Sequence, residues 1–571
     1  MNRTELFVNL KRVEPNDVFY SWIEEILHST RLYVLVNGKS IGFFKCTRGV
    51  RQGDPLSPLL FCIAEDVLSH SISKALQDGE LQPMVLCRNV QIPTHVLYAD
   101  DIMVFCKGSK KHVCCLLHLF NSYGAISGQV INKQKSTFYS GAIPNSRLVM
   151  ITNLLGFSVG TIPFTYLGYP IFVGKPKVIH FQSLVDKIKF KLASWKGAML
   201  SIMGRVQLVK SIIHGMLVYS FHIYAWPRNL LKKLDMWIRN FIWRGDVGMR
   251  IICTVTWKRV CCSHEEGGLD TWSLVKINDS LLLHRCWKLF SSSDQWTLLC
   301  QSRYLTFGRP AHYYLRSSVW IGIKQHVSTV RKNSRWLIGM GVDVLFWLDT
   351  CLDKSLVELF NFPASAYPSL TAKVSSFIFN HKWKLPVSIV QQDASLASQI
   401  HLTTLPQLPI EDRLVWYSTT GGSLSVKQEF THLFPTQQLV PWAQWLWHNF
   451  IPPSSPFVAW ICFHNKMSTD ENLIKRGYVV VSGCALCLSS KETTQLDIFF
   501  FIVTLPNTCG IGWVPCLMLC STVAALRPFF IVYMQVEVEG LDPIKCKSIQ
   551  CRLLYHQRYK SEVMDIPDTS I

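Results

Sequence analysis

Two aspartates stand side by side in "THVLYADDIMVF", Asp100 and Asp101, between short apolar runs. Adjacent carboxylates repel each other, and burying either one unpaired is costly. Divalent cations resolve that conflict. Two-metal nucleotidyl transfer uses clustered carboxylates to hold two Mg²⁺ ions about 3.5–4 Å apart, one activating the attacking hydroxyl and one stabilising the leaving group. Mg²⁺ takes oxygen ligands and keeps several waters, so a few carboxylates on a rigid element suffice. The pair alone is a weak signal, because Asp-Asp is equally at home in an ordinary surface turn.

A second stretch, "RGVRQGDPLSPLLFCIAEDVL", precedes the aspartates. Gly53 permits a tight backbone, and Pro55 and Pro58 stiffen the approach to a helix whose N-terminus can face phosphate or template. Arg48, Arg51 and Gln52 supply donors suited to nucleic-acid backbone or bases. Asp54 fits turn and helix-start work rather than metal binding.

The elements that must position these residues follow from periodicity and turn chemistry. "RLYVLVNGKSIGFFKC" reads as a hairpin joined at Asn37-Gly38. "PLLFCIAEDVLSHSISKAL" places apolar residues at helical spacing, with Pro58 in the first turn. "HVLYADDIMVF" reads as a second hairpin, its turn falling at the two aspartates. Such a tip projects carboxylates while both strands anchor in a core. "KHVCCLLHLFNSYGAISG" reads as a helix ended by Gly128.

From residue 176 to 300 the pattern becomes helical and basic. Trp195, Tyr219, Trp226, Trp237, Phe241 and Trp243 interleave its lysines and arginines. Cations for phosphate and flat rings for bases suit a single-stranded or hybrid nucleic acid. A helical bundle with a solvated basic face and a Trp-rich core explains the same pattern.

Composition points the same way. The 571 residues hold 58 Lys and Arg against 38 Asp and Glu, a formal net charge of +20. That surplus favours a polyanionic partner, since each phosphate neutralised releases counterions. No secretory signal opens the sequence, and the 20 cysteines are scattered, which fits reduced thiols in nucleus or cytoplasm. The uncharged stretch Ile498 to Leu526 is long enough to span a bilayer. Pro506, Asn507, Gly510, Gly512 and Pro515 interrupt it, so no membrane anchor is expected.

Together, "RQGDPLSP" followed by "YADD" resembles the reverse transcriptase domain of plant non-LTR (LINE-type) retrotransposons. "SGQVINKQKS" (Ser127 to Ser136) and "FTYLGYPI" (Phe164 to Ile171) resemble the family's segments after the catalytic hairpin. "FIWRGD", "WKRVCCSHEEGGLD" and "LLLHRCWKLF" resemble its thumb and the region beyond. The resemblance implies an RNA-directed DNA polymerase acting on RNA template, DNA primer and deoxynucleotides with two Mg²⁺ ions. It makes Asp100 and Asp101 the catalytic, metal-binding carboxylates. Arg51, Gln52 and Gly53 would lie against template and incoming nucleotide, Lys135 near the triphosphate, and Tyr166, Leu167 and Gly168 would grip the primer end. The family takes a further metal-binding Asp from an earlier strand, in a place that falls at or before Met1. The expectation is a truncated and inactive polymerase, with a non-enzymatic nucleic-acid-binding protein as the alternative.

Near the C-terminus, "IPP", "KMSTDENLIKRG" and "CALC" resemble the zinc-binding module of plant LINE-type polyproteins. Cys484 and Cys487 form a Cys-x2-Cys half-site, but a structural Zn²⁺ needs four ligands. Leu496 stands near the expected His, and no Cys follows until Cys509. The zinc site therefore reads as incomplete, with Cys509 or His464 as substitutes. The expected fold is α+β: a partial polymerase palm of the right-hand fold over 1–175, a basic helical thumb and connection over 176–300, and an uncharacterised region over 301–424. A small α-rich degenerate zinc module over 425–505 and an irregular tail over 506–571 complete it.

Overall fold

In the computed structural model, helices and short antiparallel hairpins alternate along the chain. The structure describes residues 16–46, 49–51, 53–85, 90, 92–141, 143–248, 253–311, 313, 316–352, 354–435, 438–447, 454–464, 466, 470–475, 500–503, 514–519 and 530–533. The chain divides into two units. The first comprises Met1–Phe181, His222–Ala225 and Leu281–Glu429, and the second Gln182–Phe221, Trp226–Ser280 and Phe430–Ile571.

In the first unit, α1 (Asp17–Ser29) is capped by Asn16, whose side chain accepts from the Val18 and Phe19 N–H groups. It leads into β1 (Arg31–Val36) and β2 (Lys39–Lys45), joined through Asn37 and Gly38 with φ of 51° and 79°. Two positive φ values match the twist of a two-residue hairpin turn, and Asn-Gly is the pair that adopts them with least strain. Apolar side chains of this ribbon stand largely in solvent, Leu35 at 66% and Phe43 at 69% exposure.

Helix α2 (Ser57–Gln77), with Pro58 in its first turn, is the spine of the unit. Its first half packs Leu60 and Ala64 against Ile23 and Leu27 of α1. Its second half packs Leu68, Ile72 and Ala75 against Leu116 and Tyr123 of α3 (Lys110–Ser127), together with Val104. Between these helices run β3 (His95–Tyr98) and β4 (Asp101–Val104). A neighbouring stripe of α3 buries Val113 with Ile151 and Leu155 of α4 (Asn145–Leu155). Both α3 and α4 end on a left-handed glycine, Gly128 and Gly156, as the sequence predicts for Gly128.

Strand β5 (Thr137–Tyr139) pairs in parallel with β6 (Ser158–Gly160), and β7 (Phe164–Tyr166) pairs antiparallel with β8 (Tyr169–Ile171). Residues 301–424 also carry a core of their own, built from Ile338, Val344, Phe346, Val374, Ile389 and Ile400. There Asp412 accepts backbone N–H groups from Gly339, Gly341 and Asp343 at 2.7–2.9 Å, pinning the glycine loop of "WLIGMGVD".

The second unit is mostly helical as far as Arg244. It takes in most of α5 (Val178–Ser194), then α6 (Ile202–Leu208), a π-helical turn Val209–Ile213, most of α7 (His214–Ile223) and α8 (Arg228–Arg244). Leu192, Val209, Ile213, Leu217, Leu231, Ile238 and Phe241 are fully or almost fully buried. Arg205 is buried too, and its guanidinium donates to the Leu200, Phe241 and Ile242 carbonyls, so it caps the end of α8. Gly197 and Gly245 cross backbone on backbone: a Cβ on Gly197 would lie 2.6 Å from the Gly245 Cα.

The helix Ser454–Phe463 belongs to the same unit. Trp460 is wholly buried and donates to the Gly267 carbonyl. Trp442 stacks on Phe463 at 4.8 Å, and Trp447 on His264 at 4.3 Å. Further on, Phe500–Val503, within the stretch 425–505 read as the zinc module, forms a three-stranded antiparallel sheet with Val514–Leu519 and Phe530–Tyr533, which lie in the stretch 506–571 read as irregular. Among the described residues no helix is long and apolar enough to cross a membrane.

Candidate functional site

The aspartate hairpin pairs His95 with Val104, Val96 with Met103, Leu97 with Ile102 and Tyr98 with Asp101. Its turn is therefore Ala99-Asp100, and Asp101 opens β4. This corrects by one residue the expectation that both aspartates form the turn. Ala99 adopts φ of 51°, a left-handed conformation unusual for a residue with a Cβ. Both aspartates are exposed. The like charges are thus hydrated rather than buried, and their repulsion is small in water.

The hairpin's base is fixed from α2. Ser69 Oγ hydrogen-bonds His95 Nε2 at 2.8 Å, and the Phe105 N–H donates to the Thr94 carbonyl at 2.6 Å. Burial holds His95 below the usual histidine pKa, so its imidazole stays neutral at pH 7.

At the start of α2, Gly53 has φ of 88°, as its place in a tight turn requires. Asp54 accepts the Leu56 N–H at 3.0 Å and pairs with Arg51 at 2.9 Å. Asp54 thus does turn and helix-start work, and Arg51 is engaged in holding it. Gln52 lies outside the described residues, as does Arg48.

Lys135 is exposed on an Asn132 turn. Asn132 Oδ1 accepts the Gln134 and Lys135 N–H groups at 3.1 and 3.2 Å, and its carbonyl accepts from Ser136. Tyr166, Leu167 and Gly168 form the β7–β8 hairpin end, with φ of 48° at Leu167 and 83° at Gly168. Tyr139 stacks on Phe164 at 3.7 Å, and the Tyr224 hydroxyl donates to the Pro170 carbonyl at 2.8 Å.

The first unit thus gathers every described polymerase-type candidate. Asp100, Asp101, Arg51, Gly53 and Lys135 hang from α2 and α3, and Tyr166 to Gly168 from the β5–β8 side. Reading the sequence missed Glu65 and Tyr123, a buried pair bonded at 3.1 Å beneath the hairpin. A lone acid within an apolar helical face was the available signal.

The oxygen donors of Asp100 and Asp101 are of the kind Mg²⁺ takes. Among the described residues, however, no group of three His, Cys, Asp or Glu side chains could hold a metal ion. Cys484, Cys487 and Cys509 lie outside the described residues. His464, read as a substitute zinc ligand, instead donates through Nε2 to the Gly267 carbonyl at 2.8 Å.

In the basic tract, Trp226, Trp237 and Phe241 are at most 8% exposed, so packing and not base stacking accounts for them. Lys189 and Lys233 lie over the Trp237 ring at 5.5 and 5.2 Å. Phe190 and Tyr219 of this tract do reach solvent, 76% and 54% exposed.

Comparison with known proteins adds independent observations. A family model for reverse transcriptase (RNA-dependent DNA polymerase) matches residues 3–171, and one for zinc-binding in reverse transcriptase matches 424–501. A putative ribonuclease H protein of Arabidopsis thaliana is 22% identical over 329 residues, 55% of this chain and 53% of that one. An uncharacterized mitochondrial protein of the same plant is 40% identical over 70 residues, 12% of this chain and 57% of its own length. The chain spans little more than half the length of these curated relatives.

Proposed function

We propose that this chain, which carries a plant reverse transcriptase domain and a C-terminal module of the reverse-transcriptase zinc-binding kind, derives from a LINE-type RNA-directed DNA polymerase. The parent reaction adds a deoxynucleotide to a primer 3′-hydroxyl on an RNA template. The observation that carries this reading is Asp100 and Asp101 at the tip of a hairpin anchored to α2, inside the matched residues 3–171.

In that reading residues 1–175 serve as palm and 176–300 as thumb, followed by the region 301–424, the zinc module 425–505 and the tail 506–571. Asp100 and Asp101 hold Mg²⁺, which when bound lowers the barrier to phosphoryl transfer. Gln52 and Gly53 face template and nucleotide, Lys135 neutralises triphosphate charge, and the Tyr166–Gly168 turn bears on the primer end. Arg51 acts indirectly, by holding Asp54 and the start of α2.

The isolated chain is read as catalytically silent, because among the described residues Asp100 and Asp101 have no third carboxylate beside them to position metal, and each 1.36 kcal/mol of lost transition-state stabilisation slows a reaction about tenfold. Its net charge of +20 keeps it a nucleic-acid binder, the second reading, acting in nucleus or cytoplasm. Primer extension on an RNA template with Mg²⁺, beside oligonucleotide binding, tests both. Binding that weakens steeply with salt, without synthesis, is expected. Robust synthesis lost in Asp100→Asn would overturn silence, and failure to bind primer–template would overturn the polymerase ancestry of the site.

A further inference from the structure

One stripe of α2 reaches both halves of the candidate site. Ser69 meets His95 and so fixes the base of the aspartate hairpin. One turn earlier, Glu65 is only 4% exposed, and the Tyr123 hydroxyl of α3 donates to its Oε1 at 3.1 Å. Gln129 Nε2 donates in turn to the Tyr123 oxygen at 3.4 Å. Residues four apart on a helix stand over one another, so both contacts rise from the same face.

Gln129 is where the backbone leaves α3 for the turn that carries Lys135. Its N–H donates to Ser127 Oγ at 3.1 Å, and Gly128 beside it takes φ of 69°. A Cβ on Gly124 would lie 2.7 Å from the Gln129 carbonyl, so only glycine admits this close approach. The residue is held by side chain, by backbone and by packing.

The acid is a poor choice for stability alone. Its second oxygen, Oε2, is buried without a hydrogen-bond partner among the described residues. An apolar side chain of similar volume would suit the neighbouring core of Leu68, Ile72 and Leu116 without that penalty. A buried polar group left half-satisfied calls for an explanation other than packing.

We propose that Glu65, acting through Tyr123 and Gln129, is a positioning residue that sets the Lys135 turn in register with the Asp100–Asp101 hairpin. A nucleoside triphosphate then meets the ammonium group and the carboxylates as one prearranged site. The proposal rests on the reading of those three residues given above.

Amide hydrogen exchange and binding of thymidine triphosphate with Mg²⁺, both on the full chain, test it. Tyr123→Phe keeps the ring and removes the relay. The double variant Glu65→Leu, Tyr123→Phe removes the buried polar pair altogether. Both should raise exchange at residues 129–136 about tenfold, the effect of losing one hydrogen bond, and weaken triphosphate binding by a similar factor. The double variant should keep the wild-type Tm. Exchange at 95–104 should stay unchanged in both, whereas Ser69→Ala should raise it there and spare 129–136. Unchanged exchange at 129–136, or a uniform rise through α2 and α3, overturns the proposal. If exchange responds locally but Lys135→Ala leaves triphosphate affinity untouched, the register stands and the reading of Lys135 falls.

Discussion

Trp460 donates its indole N–H to the Gly267 carbonyl at 2.8 Å, across 193 residues of sequence. The bond is wholly buried, and His464 donates to the same oxygen. This part of the zinc-type module is therefore fastened to Gly267 by indole and imidazole. Chelation with EDTA should leave the unfolding transition of this segment unmoved. Trp460→Phe should lower stability by about 1–2 kcal/mol, since one of two donors to a buried carbonyl is lost. Tryptophan-monitored urea denaturation with and without chelator checks both.

Ala99 holds a left-handed conformation that glycine adopts freely and a β-branched residue resists. Ala99→Gly should leave stability unchanged or raise it by up to about 1 kcal/mol, and Ala99→Val should lower it by at least as much. Thermal denaturation of the three proteins gives the order. Equal stability of Gly and Val variants would contradict the turn geometry.

Two buried groups in the second unit should make stability depend on pH in opposite senses. Burial first, and then the nearby Lys210 ammonium, lower the His214 pKa from 6.5 to about 4, partly offset by Asp270. The folded state resists protonation there, so stability is present above pH 6.5 and lost as pH falls through about 4. That change is on the order of 3 kcal/mol, at 1.36 kcal/mol per tenfold change in proton affinity. His214→Leu should flatten this arm of a stability–pH curve.

Burial raises the Asp235 carboxyl from 3.8 to about 6, against the lowering effect of the Leu274 N–H and Ser273 hydroxyl that it accepts. Its contribution is fully present below pH 3.8 and lost as pH rises through 6. Asp235→Asn keeps an acceptor for the Leu274 N–H and removes the titration. Its stability relative to wild type should therefore improve from pH 4 to pH 8, read by urea midpoints.

The β1–β2 ribbon exposes Tyr33, Leu35 and Phe43 by half or more, and among the described residues its strands pair only with each other. Long apolar edges of this kind pair with other chains. Phe43→Lys should reduce concentration-dependent self-association in sedimentation without lowering Tm by more than a degree or two. An unchanged sedimentation profile would show that this face takes no part in association.

Much of the local structure around the hairpin is legible in the sequence. Asn37-Gly38, Pro58 and Gly128 announce their turns, helix start and helix end because each acts on its own backbone. The aspartate pair could be placed at a hairpin tip for the same reason, though the left-handed Ala99 moved the turn by one residue. What was not legible depends on partners far along the chain. Nothing in the spacing of Trp226, Trp237 and Phe241 tells a buried ring from a base-stacking one, since helical periodicity fixes a face without saying what covers it. Glu65 and Tyr123 stand 58 residues apart, and Asp412 closes a glycine loop about 70 residues away.

The crossing of Gly197 and Gly245 bears on how the coding sequence can change. Every change at the first or second base of a glycine codon introduces a side chain or a stop, whereas every third-base change is silent. Because a Cβ at either position would strike the other's backbone, selection for a folded second unit would allow only third-base substitutions at these two codons. Their pattern in related coding sequences would therefore show whether that selection acts, independently of any activity of the first unit.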